Sequence, residues 1–206
     1  MTLSSAKPKI IRKIVVIFDI CSSTSILEDL IRTENQAAWQ RVLTQMKKYL
    51  WEQGLRKQMY KFLGDGWILL FDDDEISAEL LIQHLEGLCA KYDQLFQNHV
   101  ASVLSNMPTH VGLTFGIDEG SLVAIVMNQQ TEYVGRAINV AARLQSAIKS
   151  IPEPPPGVLL ISGNAFARTN LRVRNEVIEC NLANVTGGAK YRARKIRIAE
   201  IDEGAV

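Results

Sequence analysis

The chain has 206 residues, of which 47% are hydrophobic and 22% are charged. This composition is ordinary for a globular protein and excludes a wholly disordered chain. Lys and Arg together number 23 and Asp and Glu 22, so the net charge of +1 provides no basic field suited to nucleic acid or to a membrane surface. The length predicts one domain over residues 11–206, preceded by a polar N-terminal tail over residues 1–10.

Cysteine usage and the N-terminal segment predict the cellular compartment. Cys21, Cys89 and Cys180 are scattered and form no CxxC pair, which argues against a disulfide framework or a zinc site and fits a reducing environment. The first residues, MTLSSAKPKIIRK, contain no apolar signal core, and no apolar run is long enough to span a bilayer. We therefore expect a cytoplasmic protein without membrane association.

The first half of the chain predicts a strand, two helices and a hairpin. The residues from Ile11 to Ile20 are apolar at nearly every position, which is typical of a central strand covered on both faces. The CSSTS segment that follows can cap a helix containing ILEDLIRT, and a second helix is expected from about Asn35 to Gln53. The strand-like runs KQMYKFL and WILLFDD flank Gly64-Asp65-Gly66, which is a strong hairpin signal.

The second half predicts a similar mixture of helices and strands. A long helix is expected to start at Asp72-Asp73-Asp74 and to run from about Ile76 to Leu104. Two strands, Thr109 to Ile117 and Ser121 to Met127, are expected around Asp118-Glu119-Gly120. There follow a helix from Gly135 to Lys149, a rigid connector with Pro152, Pro154, Pro155 and Pro156, a strand after Gly157, and one or two edge strands between Arg172 and Ile198. Interleaved helices and hairpins predict a mixed sheet in an α+β or α/β fold.

Two carboxylates stand at the ends of predicted strands. Asp19 closes the first strand and Asp65 occupies the tip of the hairpin. A carboxylate in such a place needs a cation, a helix N-terminus or a hydrogen-bond donor, and a pair of them suits Mg²⁺ bound together with substrate phosphates. Spacing alone favours simpler roles, in which Asp65 forms the turn and Asp19 caps the next helix.

Other polar groups could contact a phosphorylated substrate. Ser22, Ser23 and Thr24 offer hydroxyls and the free N–H groups of a helix start. Asn139 and Arg143 are four residues apart, so a helix places both on one face, and the guanidinium is a planar donor suited to phosphate. The alternative for this segment is an ordinary amphipathic helix with an exposed Arg.

Five motifs occur in order and together resemble the catalytic domain of class III nucleotidyl cyclases. They are Phe18-Asp19-Ile20-x-Ser22-Ser23-Thr24, Lys61-Phe62-Leu63-Gly64-Asp65-Gly66, Gly112-x-x-x-Gly116, Gly135-x-x-Ile138-Asn139-x-Ala141-x-Arg143-Leu144 and Gly157-x-x-Leu160-x-Ser162. The resemblance covers about residues 11–168 and is loose from Thr169 onward. It implies a ferredoxin-like α+β fold that acts as a head-to-tail homodimer with active sites between the subunits.

The resemblance also implies roles for individual residues. Asp19, Asp65 and the backbone carbonyl of Ile20 match the ligands of two divalent cations, Mg²⁺ or Mn²⁺. Asn139 and Arg143 match the pair that orients the ribose and stabilises charge at the α-phosphate, and they would come from the subunit opposite the metal aspartates. The implied reaction converts a nucleoside triphosphate to a 3′,5′-cyclic nucleotide and pyrophosphate.

The base-recognition positions depart from the common pattern of the family. Lys61 matches the base-selecting lysine of adenylate cyclases, but its partner position holds Glu132 instead of Asp or Thr. A donor and an acceptor suit adenine, cytosine and uracil alike, whereas the longer acid leaves less room and favours pyrimidines. The chain is similar to stand-alone pyrimidine cyclases of bacterial anti-phage signalling, so we expect UTP, then CTP, as substrate and a separate effector for the cyclic product. Adenylate cyclase activity is the alternative.

One phosphate-binding feature of the family is missing near the C-terminus. The usual Lys-Gly is replaced by Leu182-Ala183-Asn184-Val185, and Lys190 or Arg192 could substitute, although a charged edge strand is the simpler interpretation. A catalytically silent nucleotide-sensing domain is a further alternative, but it would be favoured by loss of a metal aspartate or of the Arg, and none is lost. A diguanylate cyclase is disfavoured because no GG[DE]EF-like turn occurs.

Overall fold

The computed structural model describes residues 8–72, 76–151 and 156–198. The strands are β1 (Lys9–Ile20), β2 (Met59–Phe62), β3 (Gly66–Asp72), β4 (Leu113–Met127), β5 (Gln130–Val134), β6 (Val158–Ser162), β7 (Glu176–Cys180) and β8 (Tyr191–Arg197). The α-helices are α1 (Ser23–Arg32), α2 (Gln36–Glu52), α3 (Ala78–His99), α4 (Arg136–Ala147) and α5 (Gly163–Thr169). Short 3-10 helices, Ala101–Val103 and Ile148–Ser150, follow α3 and α4.

The strands within the described residues form one mixed sheet. Its order is β2-β3-β1-β4-β6-β8-β7, and β5 pairs with the distal part of β4. Only the pair β4–β6 is parallel, whereas the other pairs are antiparallel. The prediction of an α+β fold with a mixed, mostly antiparallel sheet and packed helices is confirmed.

The predicted central strand is β1, which lies between β3 and β4. Because side chains alternate along a strand, Val16 and Phe18 enter the core formed with α1, α2, α3 and α5, whereas Val15 and Ile17 enter the core formed with α4. Burial on both faces explains why the run is apolar at nearly every position. Asp19 shares the face of Val15 and Ile17, so the strand directs its carboxylate toward α4.

Close packing of α4 on the sheet depends on small residues. A Cβ atom at Gly116 of β4 would lie 2.1 Å from the backbone oxygen of Ala141, so only glycine fits beneath the helix. Ala137 and Ala141 are buried at this contact. Small residues on both sides of the contact therefore let α4 and the sheet approach closely.

The structure corrects the prediction of two strands around Asp118-Glu119-Gly120. That segment is the middle of the continuous strand β4, and it pairs without a register shift with Val15, Ile14 and Lys13 of β1. The long neighbouring strand supplies hydrogen bonds that override the local turn propensity. The actual turn is Asn128-Gln129, where φ is 50° and 63°, and it leads into β5, which the sequence analysis did not predict.

Other boundaries also differ from the predictions. Asp72 ends β3 instead of starting a helix, and α3 begins at Ala78 after Ser77, whose side chain accepts a hydrogen bond from the N–H of Leu80. Asp73, Asp74, Pro152, Pro154 and Pro155 lie outside the described residues. Strand β1 begins at Lys9, within the predicted tail, and the short helix α5 after Ser162 was not predicted.

Candidate active site

The two predicted metal-binding aspartates come together at one end of the sheet. Asp19 is paired with Gly66 across β1 and β3, and Asp65 immediately precedes Gly66 in the hairpin. A Cβ atom at Gly66 would lie 1.9 Å from the backbone oxygen of Phe18, so a side chain there would push the hairpin away from β1. The glycine after Asp65 thus allows the hairpin tip to reach Asp19.

The carboxylates of Asp19 and Asp65 interact directly. The pKa of Asp19 is raised from 3.8 to about 6, first because the group is buried and then because Asp65 shares a hydrogen bond with it and repels its negative charge. The hydroxyl of Ser23, at the start of α1, donates a hydrogen bond to Asp65. An apposed pair of carboxylates is a site of negative charge that binding of a cation would relieve.

Helix α4 and the 3-10 helix that follows it each supply one further contact to Asp19. The buried amide of Gln145 donates hydrogen bonds to Asp19 Oδ2 at 3.3 Å and to the hydroxyl of Thr114 at 2.9 Å. The Nζ atom of Lys149 lies 3.9 Å from the same carboxylate oxygen. Both contacts favour the charged carboxylate and so lower its pKa, in opposition to burial.

The predicted phosphate-contacting hydroxyls lie beside this pair. Ser22 adopts a left-handed backbone conformation with a φ of 57°, and its hydroxyl donates to the carbonyl of His110 at 2.9 Å instead of capping the helix. Thr24 is exposed in the first turn of α1. The loop therefore keeps the helix N-terminus next to Asp65, where the first N–H groups of a helix favour anions.

The predicted base-recognition residues, Lys61 and Glu132, line a cavity of about 500 Å³. Lys61 Nζ lies 3.5 Å from Glu132 Oε2. Tyr60 donates its hydroxyl hydrogen to the same carboxylate and accepts a 3.0 Å hydrogen bond from the N–H of Tyr133. The hydrogen bond from Tyr60, and then the charge of Lys61, hold the pKa of Glu132 below its usual range. Since β3, β1 and β4 separate β2 from β5, the contact shows that the β4–β5 hairpin bends over the sheet.

Asn139 and Arg143 lie on the exposed side of α4. In the described part of the chain, neither side chain forms a hydrogen bond or ion pair. At 100° per residue, Gln145 lies on a different side of the helix from this pair. Helix α4 therefore directs Gln145 to Asp19 of its own chain and presents Asn139 and Arg143 outward.

Three contacts at these sites were missing from the sequence analysis: Gln145, Lys149 and Tyr60. Gln145 and Lys149 are four residues apart, but nothing in the local sequence shows that either side chain reaches Asp19. Tyr60 adjoins Lys61, but nothing local shows that it reaches Glu132. Lys190 and Arg192, the predicted substitutes for the missing lysine, are exposed and make no contact with Asp19 or Asp65 among the described residues.

Comparison with solved structures identifies the fold. The chain superposes on the guanylyl cyclase Cya2 with a TM-score of 0.68 and 19% identity, covering 97% of each chain. It superposes on the adenylyl cyclase CyaB from P. aeruginosa with a TM-score of 0.72 and 16% identity, covering 98% of this chain and 100% of that one. The guanylate cyclase domain of RhGC from Catenaria anguillulae, in complex with GTP, gives a TM-score of 0.56 and 15% identity over 91% of this chain and 96% of that one.

The chain has the class III nucleotidyl cyclase fold. No protein-family model matches its sequence, and no curated protein is similar to it. The cyclase fold is therefore recognised through the three-dimensional arrangement of the strands and helices, at sequence identities below 20%.

The carboxylate oxygens of Asp19 and Asp65 suit a hard cation whose other coordination positions are filled by other ligands. Carboxylate and carbonyl oxygens are the ligands that Mg²⁺ and Mn²⁺ prefer. Within residues 8–72, 76–151 and 156–198, no group of three or more His, Cys, Asp or Glu side chains could hold a metal ion. The side chains of Asp19 and Asp65 offer oxygen ligands of this kind, so the pair fits such a cation.

Cys21, Cys89 and Cys180 are free thiols. No helix in the described segments is long and apolar enough to cross a membrane.

Proposed function

We propose that this protein is a nucleotidyl cyclase that converts a nucleoside triphosphate to a 3′,5′-cyclic nucleotide and pyrophosphate. The ribose 3′-oxygen attacks the α-phosphorus as the bond from that phosphorus to the bridging oxygen of the β-phosphate breaks. The proton of the 3′-hydroxyl passes to solvent and the electron pair of the broken bond leaves with pyrophosphate. All atoms of the substrate appear in the cyclic nucleotide, the pyrophosphate and the released proton, and no redox partner is required.

The observation that carries the proposal is the apposed carboxylate pair of Asp19 and Asp65. Burial and mutual repulsion make the pair costly in the absence of a cation, as the raised pKa of Asp19 indicates. Groups held in such an unfavourable arrangement are typical of functional sites. The pair lies beside the N-terminus of α1, which favours anions, so this position supports binding of a phosphate-bearing ligand together with cations.

Divalent cations, Mg²⁺ or Mn²⁺, held by Asp19, Asp65 and the carbonyl of Ile20 would supply Lewis-acid activation of the 3′-hydroxyl and charge neutralisation of the triphosphate. The contributions of the chain itself are binding and orientation. Gln145 orients Asp19 through its amide, and Ser23 orients Asp65 through its hydroxyl. Both carboxylates are thereby held in place before the substrate arrives.

Asn139 and Arg143 act, in this proposal, in the cleft of a second copy of the chain. They face outward on α4 and make no polar contact with the described residues of their own chain. A head-to-tail homodimer places them opposite the partner's Asp19 and partner's Asp65, where Arg143 donates to the α-phosphate and Asn139 orients the ribose. Such preorganised donors commonly contribute about 10²-fold or more to the rate.

We propose a pyrimidine nucleotide as substrate, UTP first and CTP second. Lys61 offers a donor to a ring carbonyl, and Glu132 is held as an ionised acceptor for a ring N–H or an exocyclic amine. Adenine has the same complementarity, so adenylate cyclase activity is the alternative that the assay must separate. The longer side chain of Glu132 narrows the space for a base, which favours the smaller ring.

The proposed product is a second messenger. From the sequence resemblance to pyrimidine cyclases of bacterial anti-phage signalling, we propose a cytoplasmic role in that signalling, in which the cyclic nucleotide activates a separate effector. This role predicts that the intact enzyme makes its product during infection and that an Asp65→Asn variant does not. Measurement of cyclic UMP and cyclic CMP in infected cells that carry either form tests it.

The deciding experiment incubates the purified protein separately with ATP, GTP, CTP and UTP in the presence of Mn²⁺. Products are identified by mass and by comparison with authentic 3′,5′-cyclic nucleotides. We expect cyclic UMP in greatest yield. An Asp65→Asn variant is the matched control, because it preserves the size of the side chain and removes one proposed metal ligand.

The outcomes separate the proposals. Cyclic AMP alone would overturn the pyrimidine assignment and leave the cyclase assignment standing. Absence of any cyclic product would contradict the enzyme proposal. Equal turnover by the Asp65→Asn variant would contradict the assigned roles of Asp19 and Asp65.

A further inference from the structure

Lys149 lies beside the proposed metal site, and none of the five sequence motifs includes this residue. It belongs to the 3-10 helix Ile148–Ser150, which continues α4, and its Nζ atom lies 3.9 Å from Asp19 Oδ2. Its side chain is 76% exposed, whereas that of Asp19 is 20% exposed. The ammonium group thus stands on the solvent side of the carboxylate, where an incoming ligand must pass.

The ion pair is poorly suited to a role in stability. Attraction between Asp19 and a largely exposed ammonium group 3.9 Å away contributes little to stability, because water screens it. Asp19 also has a closer, buried partner in Gln145. Lys149 is therefore not needed to hold Asp19 in place, and its exposed ammonium group is accessible to a ligand.

The phosphates of the proposed substrate require cationic partners beside the carboxylate pair. Asn184 lies in the segment that replaces the Lys-Gly described above, and Lys190 and Arg192 do not contact the aspartates within the described residues. Two other cations of β8 are committed to structural contacts, since Lys195 lies 2.6 Å from Glu176 and Arg194 donates to Asn175 at 2.7 Å. Among the described residues, Lys149 is the cation of the same chain that contacts Asp19.

We propose that Lys149 binds the β- and γ-phosphates of the substrate, and the pyrophosphate that leaves, in the cleft formed by Asp19 and Asp65 of the same chain. This assignment rests on the proposed cyclase function. In the ligand-free protein the ammonium group lies against Asp19. Cations held by the carboxylates would repel the ammonium group, and the phosphate oxygens would then be the negative charges that Lys149 binds.

The test measures binding of inorganic pyrophosphate to the purified protein by calorimetry, with and without Mg²⁺. Removal of one charged phosphate contact is expected to weaken the affinity about tenfold or more in Lys149→Ala. Lys149→Arg retains the charge and is expected to remain within about threefold of the wild type. Lys48→Ala is the matched control, because Lys48 is also exposed on a helix and pairs only weakly, at 3.5 Å, with Glu52.

Each result decides between the alternatives. Equal pyrophosphate affinity of Lys149→Ala and the wild type, equal losses in Lys149→Ala and Lys48→Ala, or no Mg²⁺-dependent binding by the wild type would each overturn the assignment. If the wild type cyclises nucleotides but Lys149→Ala binds pyrophosphate normally, only the role of the lysine fails. If no nucleotide is cyclised but binding still depends on Lys149, the cyclase proposal fails and the polyphosphate site stands.

Discussion

Substitution of Asp19 by Asn is expected to stabilise the metal-free protein while it abolishes catalysis. The carboxylate is largely buried and faces Asp65, and together these features raise its pKa to about 6 from 3.8. Asparagine has the same shape, carries no charge, and can still accept a hydrogen bond from Gln145 and donate one to Asp65. The substitution therefore removes the unfavourable charge and keeps most of the packing.

The pKa difference sets the magnitude of this effect and its dependence on pH. Because the folded protein holds the proton of Asp19 more tightly than the unfolded chain, the penalty is absent below about pH 4, grows as the pH rises, and is complete above about pH 6. A separation from 3.8 to about 6 corresponds to about 3 kcal/mol. Partial exposure of the carboxylate reduces the expected gain to about 1–2 kcal/mol, or about 3–6 °C in Tm.

Thermal unfolding of the wild type and of Asp19→Asn at pH 7.5 and pH 4, in the presence of a chelator, measures this gain. The variant should be more stable at pH 7.5, and the difference should vanish at pH 4. Addition of Mg²⁺ should raise the Tm of the wild type and not that of the variant, because only the wild type has both proposed ligands. Equal or lower stability of the variant at pH 7.5 without metal would refute the inference that this carboxylate is strained.

Three further predictions concern the other elements of the site. Tyr60→Phe removes the hydrogen bond that lowers the pKa of Glu132. In a plot of KM against pH, the acidic limb should therefore shift to higher pH, and KM should rise roughly two- to tenfold. An unchanged plot across pH 4–7 would show that Tyr60 does not lower the pKa of Glu132. A mixture of Asp65→Ala and Arg143→Ala chains should recover part of the activity that each lacks alone, because one cleft of the mixed dimer is intact; absence of recovery after dimer exchange is verified would contradict shared clefts. Gly116→Ala places a methyl group 2.1 Å from the backbone oxygen of Ala141 and should destabilise the fold by about 1–3 kcal/mol in urea unfolding, whereas unchanged stability would show that α4 can move away freely.

Features that depend on short stretches of chain can be predicted from the sequence alone. Burial of β1 on both faces follows from its continuous apolar run, and the hairpin follows from Gly64-Asp65-Gly66 between two apolar segments. The end of β1 and the tip of the hairpin carry Asp19 and Asp65, which the sequence predicts as candidate metal ligands. The helical spacing of Asn139 and Arg143 likewise placed both on one side of α4.

Tertiary structure alone decided which of these segments meet. Asp118-Glu119-Gly120 resembles a turn locally, yet it remains in a strand because β1 pairs along its whole length. Gln145 and Lys149 reach Asp19 only because α4 lies across the sheet face to which Asp19 points, and Tyr60 reaches Glu132 only because the β4–β5 hairpin bends over that sheet. Side-chain periodicity is a property of neighbouring residues, whereas these contacts depend on strand register and helix placement, which are determined by packing across the entire domain.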